Sequence, residues 1–309
     1  MVKKYVLKEL LANECVLAPC VFDCASARAV ELSGFKAMLL SGAELSMAMN
    51  GLPDIGVLTL DELVWAVTRI TDTSPLPLAV DIEDGFGNPL SVYRTCKRIA
   101  KAGASAVLLE DEADPGFARE IVTDNLLPRK DYYAKVKAAL DALAGSECML
   151  IARTNVDPSK NIDEGIERCL GALELGADMT VIIGIDNLKD AAEISRRVPG
   201  WKMFADLNAK IGIPEISLDE IYPMGFNFVT MHYLLKAAMA GMLEYGKENF
   251  KNQNNIYSNN QKPMGVPGHS GMPFFSPQEW LDFEGKFTGE FRKFRGHLLD
   301  QSGNPQDGK

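Results

Sequence analysis

"LPLAVDIEDGFGNP" (residues 76–89) begins as an apolar run and ends in a turn rich in glycine, asparagine and proline. The run LPLAV is continuous rather than alternating, the pattern of a parallel strand covered on both faces. Just beyond it stand Asp81, Glu83 and Asp84. Like charges gathered at the end of a buried strand repel one another and lose hydration, so they need a compensating partner. After the turn, SVYRTCKRIAKAG (91–103) takes up helical spacing and stops at a glycine. The stretch therefore predicts a strand, an acidic loop at its C-terminal end, and a helix.

The same unit recurs along the chain. VLAPCV (16–21) precedes SARAVELSG, and KAMLLS (36–41) leads through a loop to Pro53 and then TLDELVWAVTRI, where Thr59 and Glu62 match a capping box. SAVLLED (105–111) precedes DYYAKVKAALDAL, and CMLIAR (148–153) precedes IDEGIERCLGALELG. MTVIIG (179–184), WKMFAD (201–206) and FNFVT (226–230) are each followed by another helical pattern. Counting residues 76–89, eight β-then-α units result. They close most simply into a (β/α)8 TIM barrel over residues 1–250, with an open doubly wound sheet as the alternative.

Residues 251–277 change character and are rich in Asn, Gly and Pro, as in a linker. Helical spacing then resumes with Trp280, Phe283, Phe287, Phe291 and Phe294 three or four apart, a stripe that needs an apolar surface to cover. Residues 251–297 are therefore expected to be linker and C-terminal helices packing on a partner subunit, and 298–309 a disordered tail.

At 309 residues and 47% hydrophobic content the chain can bury a large core. Its net charge of -10 and pI near 5.0 argue against nucleic acid as a partner, because phosphates would be repelled. Six cysteines show neither a CxxC pair nor zinc-finger spacing and read as buried thiols. No apolar signal core opens the chain, and no run approaches the ~20 uncharged residues of a membrane span. The expectation is a cytoplasmic protein without membrane partners.

In such a barrel the active site lies at the C-terminal strand ends. Those ends carry Ser41-Gly42-Ala43, Asp81 and Glu83, Glu110-Asp111-Glu112, Arg153-Thr154-Asn155 and Asn208-Ala209-Lys210. Oxygen ligands from several strands suit a hard divalent cation, Mg²⁺ with Mn²⁺ as substitute. Two familiar motifs fail: with Asp81 as position one, glycine is fifth rather than sixth, against an EF-hand, and Leu90 occupies the place of the third glycine of a dinucleotide fingerprint. Taken alone, Asp84-Gly85 reads equally well as a solvated turn.

The blocks LAPCVFDCASARAVELSGFKAMLLSGAELS, GLPDIGVLTLDELV, DIEDGFGNP, AGASAVLLEDE and IARTN, in that order, closely resemble the isocitrate lyase/phosphoenolpyruvate mutase superfamily over about residues 10–250. The resemblance implies a barrel whose last helix packs on a partner subunit, commonly in a homotetramer built as a dimer of dimers. It also implies Mg²⁺ and a small 2-oxo, 2-hydroxy or dicarboxylic acid substrate. By position, Asp81 is then the direct metal ligand, with Glu83, Glu110 and Asp54 acting through waters. Ser41, Gly42 and Ala43 would hold the substrate carboxylate, Arg153 would anchor substrate oxygens, and Asn208 would be a further substrate contact. Arg153, Glu110 and Asp54 form the implied catalytic set.

The chain departs from its relatives in the loop EADPGFAREIVTDNLLP (112–128), which has neither the cysteine nor the histidine of a K-K-C-G-H-like lyase motif. Glu112 also stands where the mutase pattern places lysine. The reading is a Mg²⁺-dependent lyase that cleaves a C–C bond, by decarboxylation or retro-aldol cleavage, through an enolpyruvate-like intermediate. The alternatives are C–P chemistry, as phosphoenolpyruvate mutase or phosphonopyruvate hydrolase, and a non-catalytic ligand-binding barrel.

Overall fold

The computed structural model describes residues 5–113, 125–207, 209–210, 213–214, 216–261 and 271–296. Helix α1 (Leu7–Asn13) precedes β1 (Val16–Val21), α2 (Cys24–Leu32), β2 (Met38–Leu40) and α3 (Gly42–Leu45). Then come α4 (Leu60–Thr73), β3 (Leu78–Asp81), α5 (Pro89–Lys101), β4 (Ala106–Leu109), α6 (Arg129–Leu143) and β5 (Met149–Thr154). The chain continues through α7 (Pro158–Leu175), β6 (Met179–Ile182), α8 (Leu188–Arg197) and β7 (Trp201–Phe204). A small antiparallel pair, β8 (Ala209–Lys210) with β9 (Ile213–Pro214), is followed by α9 (Leu218–Ile221), β10 (Phe226–Met231) and α10 (Leu234–Asn252).

Strands β1 to β7 and β10 form a closed barrel in sequential order, and β10 pairs back on β1 with Val16 opposite Phe228. Every barrel pairing is parallel. This is the (β/α)8 architecture; the open sheet is excluded by closure.

One strand face fills the barrel interior. Ala18, Cys20, Leu39, Ala79, Ala106, Leu108, Ile151, Met203 and Phe228 belong to one buried apolar cluster. Because side chains alternate faces along a strand, the residue two beyond each interior position points to the same side. That rule carries Leu39 to Ser41, Ala79 to Asp81, Leu108 to Glu110, Ile151 to Arg153, and Phe228 through Thr230 to His232. The register that packs the core thus delivers these polar groups to one mouth.

Some helices begin at a side-chain cap. Thr59 and Glu62 make the reciprocal capping box of α4, and Asn88 accepts from the N–H groups of Leu90 and Ser91 at the start of α5. Two local features differ from sequence expectation. The loop after β2 contains α3, capped by Ser41, running into a π-helical turn over Ser46–Asn50. The C-terminal helical spacing also breaks early. Helix α12 (Pro277–Thr288) stops at Gly289, whose φ of 74° is the left-handed C-cap that glycine adopts without strain, so Phe291 and Phe294 lie beyond the helix.

The residues divide into two compact units, the first comprising 1–27 and 36–235 and the second 28–35 and 236–309. Within the second unit Arg28 Nη2 donates to Ser276 Oγ at 3.2 Å. Helix α11 (Ile256–Asn260) and α12 also belong to it. Trp280 and Phe287, 67% and 75% exposed, stand out on α12. Among the described residues, no helix is long and apolar enough to cross a membrane.

Candidate metal centre and active site

Asp81, Glu83 and Glu110 converge so that a carboxylate oxygen of each lies within 4.8 Å of the others, and all three are buried. Asp81 ends β3 and Glu110 follows β4, two positions past interior residues. Glu83 reaches the same point by a different route. Its backbone adopts a φ of 52°, uncommon for a residue with a side chain, and its N–H donates to Asp81 Oδ1 at 3.1 Å. Gly85 then turns with a φ of 85°, where an added Cβ would lie 2.4 Å from Val92 Cγ2. The tight turn after β3 therefore requires glycine and swings Glu83 back over the mouth.

Arg153, from the end of β5, faces this triad. Its Nη1 lies 3.0 Å from Asp81 Oδ2 and its Nη2 2.9 Å from Glu110 Oε2. Its Nε donates to Asn155 Oδ1 at 2.8 Å, and the Asn155 amide donates to Glu110 Oε2 at 2.8 Å and to Glu112 Oε1 at 2.6 Å. One guanidinium and one amide thus organise the acids of two strands.

The electrostatics remain unbalanced. Burial pushes the Asp81 and Glu110 carboxyls up, and Arg153 only partly offsets this. Glu83 is raised well above the carboxylate range by burial and then by the charges of Asp81, Glu110 and Asp54. Burial and Glu110 push Glu112 up to about 7. Burial pulls the Arg153 pKa down, but the surrounding acids outweigh it and raise the net value. Three buried acids against one fixed cation leave room for two further positive charges, and the donors are all oxygen. The set fits a hard divalent cation.

Outside this centre, buried ion pairs brace the loops. Lys135 of α6 donates to the carbonyl oxygen of Asp84 at 2.8 Å and to its Oδ2 at 3.0 Å. Arg168 of α7 holds Asp111 Oδ2 at 2.9 Å, and Asp111 also accepts from Thr154 Oγ1 at 2.6 Å and the Asn155 N–H at 2.9 Å.

The residues singled out from sequence fall as follows. Asp81, Glu83, Glu110 and Arg153 meet directly, and Asp54 stands close enough to raise the Asp81 and Glu83 carboxyls. Ser41 caps α3, its Oγ accepting from the Glu44 N–H at 3.3 Å. Gly42 is buried beside it, and Ala43 is half-buried. Asn208 lies outside the described residues, as does residue range 114–124 of the loop after β4. Sequence reasoning assigned no part to Glu44, Asp206 or His232. The signal available for His232 was its place two residues past Thr230, on the inward face of β10.

Comparison with known proteins follows the same line. The family profile described as phosphoenolpyruvate phosphomutase matches residues 7–250. The 2,3-dimethylmalate lyase of Eubacterium barkeri is 31% identical over 222 residues, covering 72% of this chain and 76% of that protein. The oxaloacetate decarboxylase of Paraburkholderia xenovorans is 34% identical over 201 residues, 63% of this chain and 67% of that one. A solved structure of oxaloacetate acetylhydrolase with 3,3-difluorooxalacetate superposes with a TM-score of 0.79 at 25% identity, covering 92% of this chain and 95% of that one. These relatives act on small 2-oxo and 2-hydroxy acids. With the barrel closed and its acids gathered at one mouth, the chain belongs to the phosphoenolpyruvate phosphomutase family, within the isocitrate lyase/phosphoenolpyruvate mutase superfamily.

Proposed function

We propose that this protein is a Mg²⁺-dependent carbon–carbon lyase, with Mn²⁺ as a substitute, acting on a small 2-oxo or 2-hydroxy acid through an enolpyruvate-like intermediate. The observation that carries the reading is the buried Asp81, Glu83 and Glu110 cluster facing Arg153. Asp81, Glu83 and Glu110 would hold the cation, Asp81 directly. Bound there, the cation supplies positive charge for the oxyanion that develops when a bond beside a carbonyl breaks. Arg153 adds a planar, permanently charged donor pair suited to a carboxylate. Ser41, Gly42 and Ala43 would hold the substrate carboxylate at the start of α3, and Asn208 would add a contact. Glu112 in place of a lysine disfavours C–P chemistry.

The exposed Trp280 and Phe287 support assembly through the C-terminal unit, and the reading includes a homotetramer arranged as a dimer of dimers. The functional test is a panel of 2-oxo, 2-hydroxy and phosphono acids with and without Mg²⁺. Turnover of a C–C substrate that chelator abolishes, and that Asp81→Ala loses while remaining folded, is the expected result. Release of orthophosphate from a phosphono acid, with every C–C substrate inert, would replace the lyase reading with C–P chemistry.

A further inference from the structure

The mouth holds a second cluster, formed by α3 after β2 and by the loops that follow β7 and β10. Glu44, in α3, is 6% exposed, and its Oε2 is the one buried side-chain oxygen or nitrogen without a hydrogen-bond partner among the described residues. It lies within electrostatic reach of His232 after β10, of Asp206 after β7, and of Cys20 in the barrel interior. The His232 N–H donates to Asp206 Oδ1 at 3.0 Å, and its Nδ1 stands 3.7 Å from Asp206 Oδ2. Asp206 is held with a φ of 68°, its own N–H donating to Thr230 Oγ1 at 3.3 Å. His232 also feels the charge of Asp81, so the imidazole shares one electrostatic field with the unpartnered acid and the metal acids.

A buried carboxyl oxygen with no partner is costly, and more so when ionised. Burial raises the Glu44 carboxyl, with His232 opposing the rise. Burial lowers the His232 pKa, but Asp206, Glu44 and Asp81 outweigh it and raise the net value, favouring the imidazolium. A buried carboxyl whose Oε2 bonds to nothing in the protein has that oxygen available to exchange a proton with a ligand.

We propose that Glu44 is the acid–base residue that exchanges a proton with the enolate carbon, and that His232, oriented by Asp206, reloads it from solvent. The proposal rests on the lyase reading and supplies its proton donor. In the step, the enolate carbon takes the proton of the Glu44 carboxyl. The C–H bond forms, the O–H bond breaks, and its electron pair stays on the carboxylate. The His232 imidazolium then returns a proton to Glu44, directly or through one water, and regains one from solvent.

The test follows exchange of pyruvate methyl protons with D2O by NMR in the presence of Mg²⁺, alongside calorimetric binding of Mg²⁺ with oxalate. Glu44→Gln is expected to slow exchange by about 100-fold or more while leaving Mg²⁺ and oxalate affinity unchanged. Glu44→Asp should recover part of the rate, and His232→Gln should lose less and shift the pH profile. Exchange at the wild-type rate in Glu44→Gln would overturn the proposal. So would complete loss in His232→Gln with Glu44→Gln unaffected, because the imidazole would then be the donor. Wild-type protein that binds Mg²⁺ and oxalate but exchanges no proton would also overturn it, leaving the metal centre intact. Absence of Mg²⁺ binding would sink the lyase reading itself.

Discussion

The α-carbon of Gly42 lies against the carboxylate of Glu83: a Cβ built on Gly42 would sit 1.7 Å from Glu83 Oε1. The loop after β2 and the loop after β3 therefore share one wall, and only a residue without a side chain lets Glu83 face its partners. Gly42→Ala is expected to displace Glu83 and lower divalent-cation affinity by about 10- to 100-fold, the range for groups that orient a metal site. Calorimetric titration with Mg²⁺ or Mn²⁺ checks it. Unchanged affinity would mean that Glu83 plays no part in holding the cation.

The raised carboxyls of Asp81, Glu83 and Glu110 set a pH dependence for the metal-free protein. Between their unfolded and folded pKa values, the folded state binds more protons than the unfolded one. Stability therefore falls as pH rises through that window. A bound cation displaces those protons, so its affinity should rise with pH over the same range. The melting-temperature gain from Mg²⁺ should be larger at about pH 8 than at about pH 5.5. An equal gain at both would remove these three acids from the metal's coordination.

Lys135 and Asp84 are both buried, so removing the cation strands an acid in the wall of the loop after β3. Lys135→Met should cost about 3–5 kcal/mol of unfolding free energy, the usual result of breaking one side of a buried pair. Urea denaturation measures this directly. A loss of about 1 kcal/mol or less would show that solvent reaches Asp84 in the folded state.

Thiol chemistry should be dispensable. Burial pushes Cys96 and Cys169 up to about 12, and burial followed by Glu14 pushes Cys15 up to about 11, which makes them poor nucleophiles. Cys24, half-buried at the start of α2, is the exception by position. Alkylated protein and a Cys24→Ser variant should each retain most of their turnover. Full inactivation by alkylation, prevented by Cys24→Ser, would instead place a thiol in or beside the reaction.

The C-terminal unit offers a separate test. Trp280→Glu combined with Phe287→Glu should lower the oligomeric state seen by light scattering, because a charge on each exposed ring opposes burial against a partner. An unchanged tetramer would remove α12 from the assembly interface.

The barrel was legible because most of its strands are apolar runs followed by helical spacing, with β7 and β10 interrupted by Lys202 and Asn227. Asp81, Glu110 and Arg153 were legible for a related reason, since polar residues that end such runs have only one mouth to face. The π-helical turn at Ser46–Asn50 was not, because nothing in SMAMN distinguishes a π-helical turn from an α-helical one. Nor was the stop at Gly289, hidden inside an aromatic spacing that continues unbroken to Phe294. The meeting of Glu44, Asp206 and His232 joins distant parts of the chain through barrel closure. It also relies on a left-handed Asp206, a conformation that aspartate tolerates but that the sequence WKMFAD does not single out.

Along the end of β4, alternation divides three consecutive acids between two tasks. Glu110 and Glu112 are gathered by Asn155 toward the mouth, whereas Asp111 turns outward to Arg168 and Thr154. Framework and chemistry are thus written into the same short segment yet remain separable letter by letter. Substitutions at Glu112 would change the charge gathered at the mouth without loosening the rivet that Asp111 drives between neighbouring strand and helix. A lineage built this way can explore new substrates one residue at a time while its scaffold stays whole.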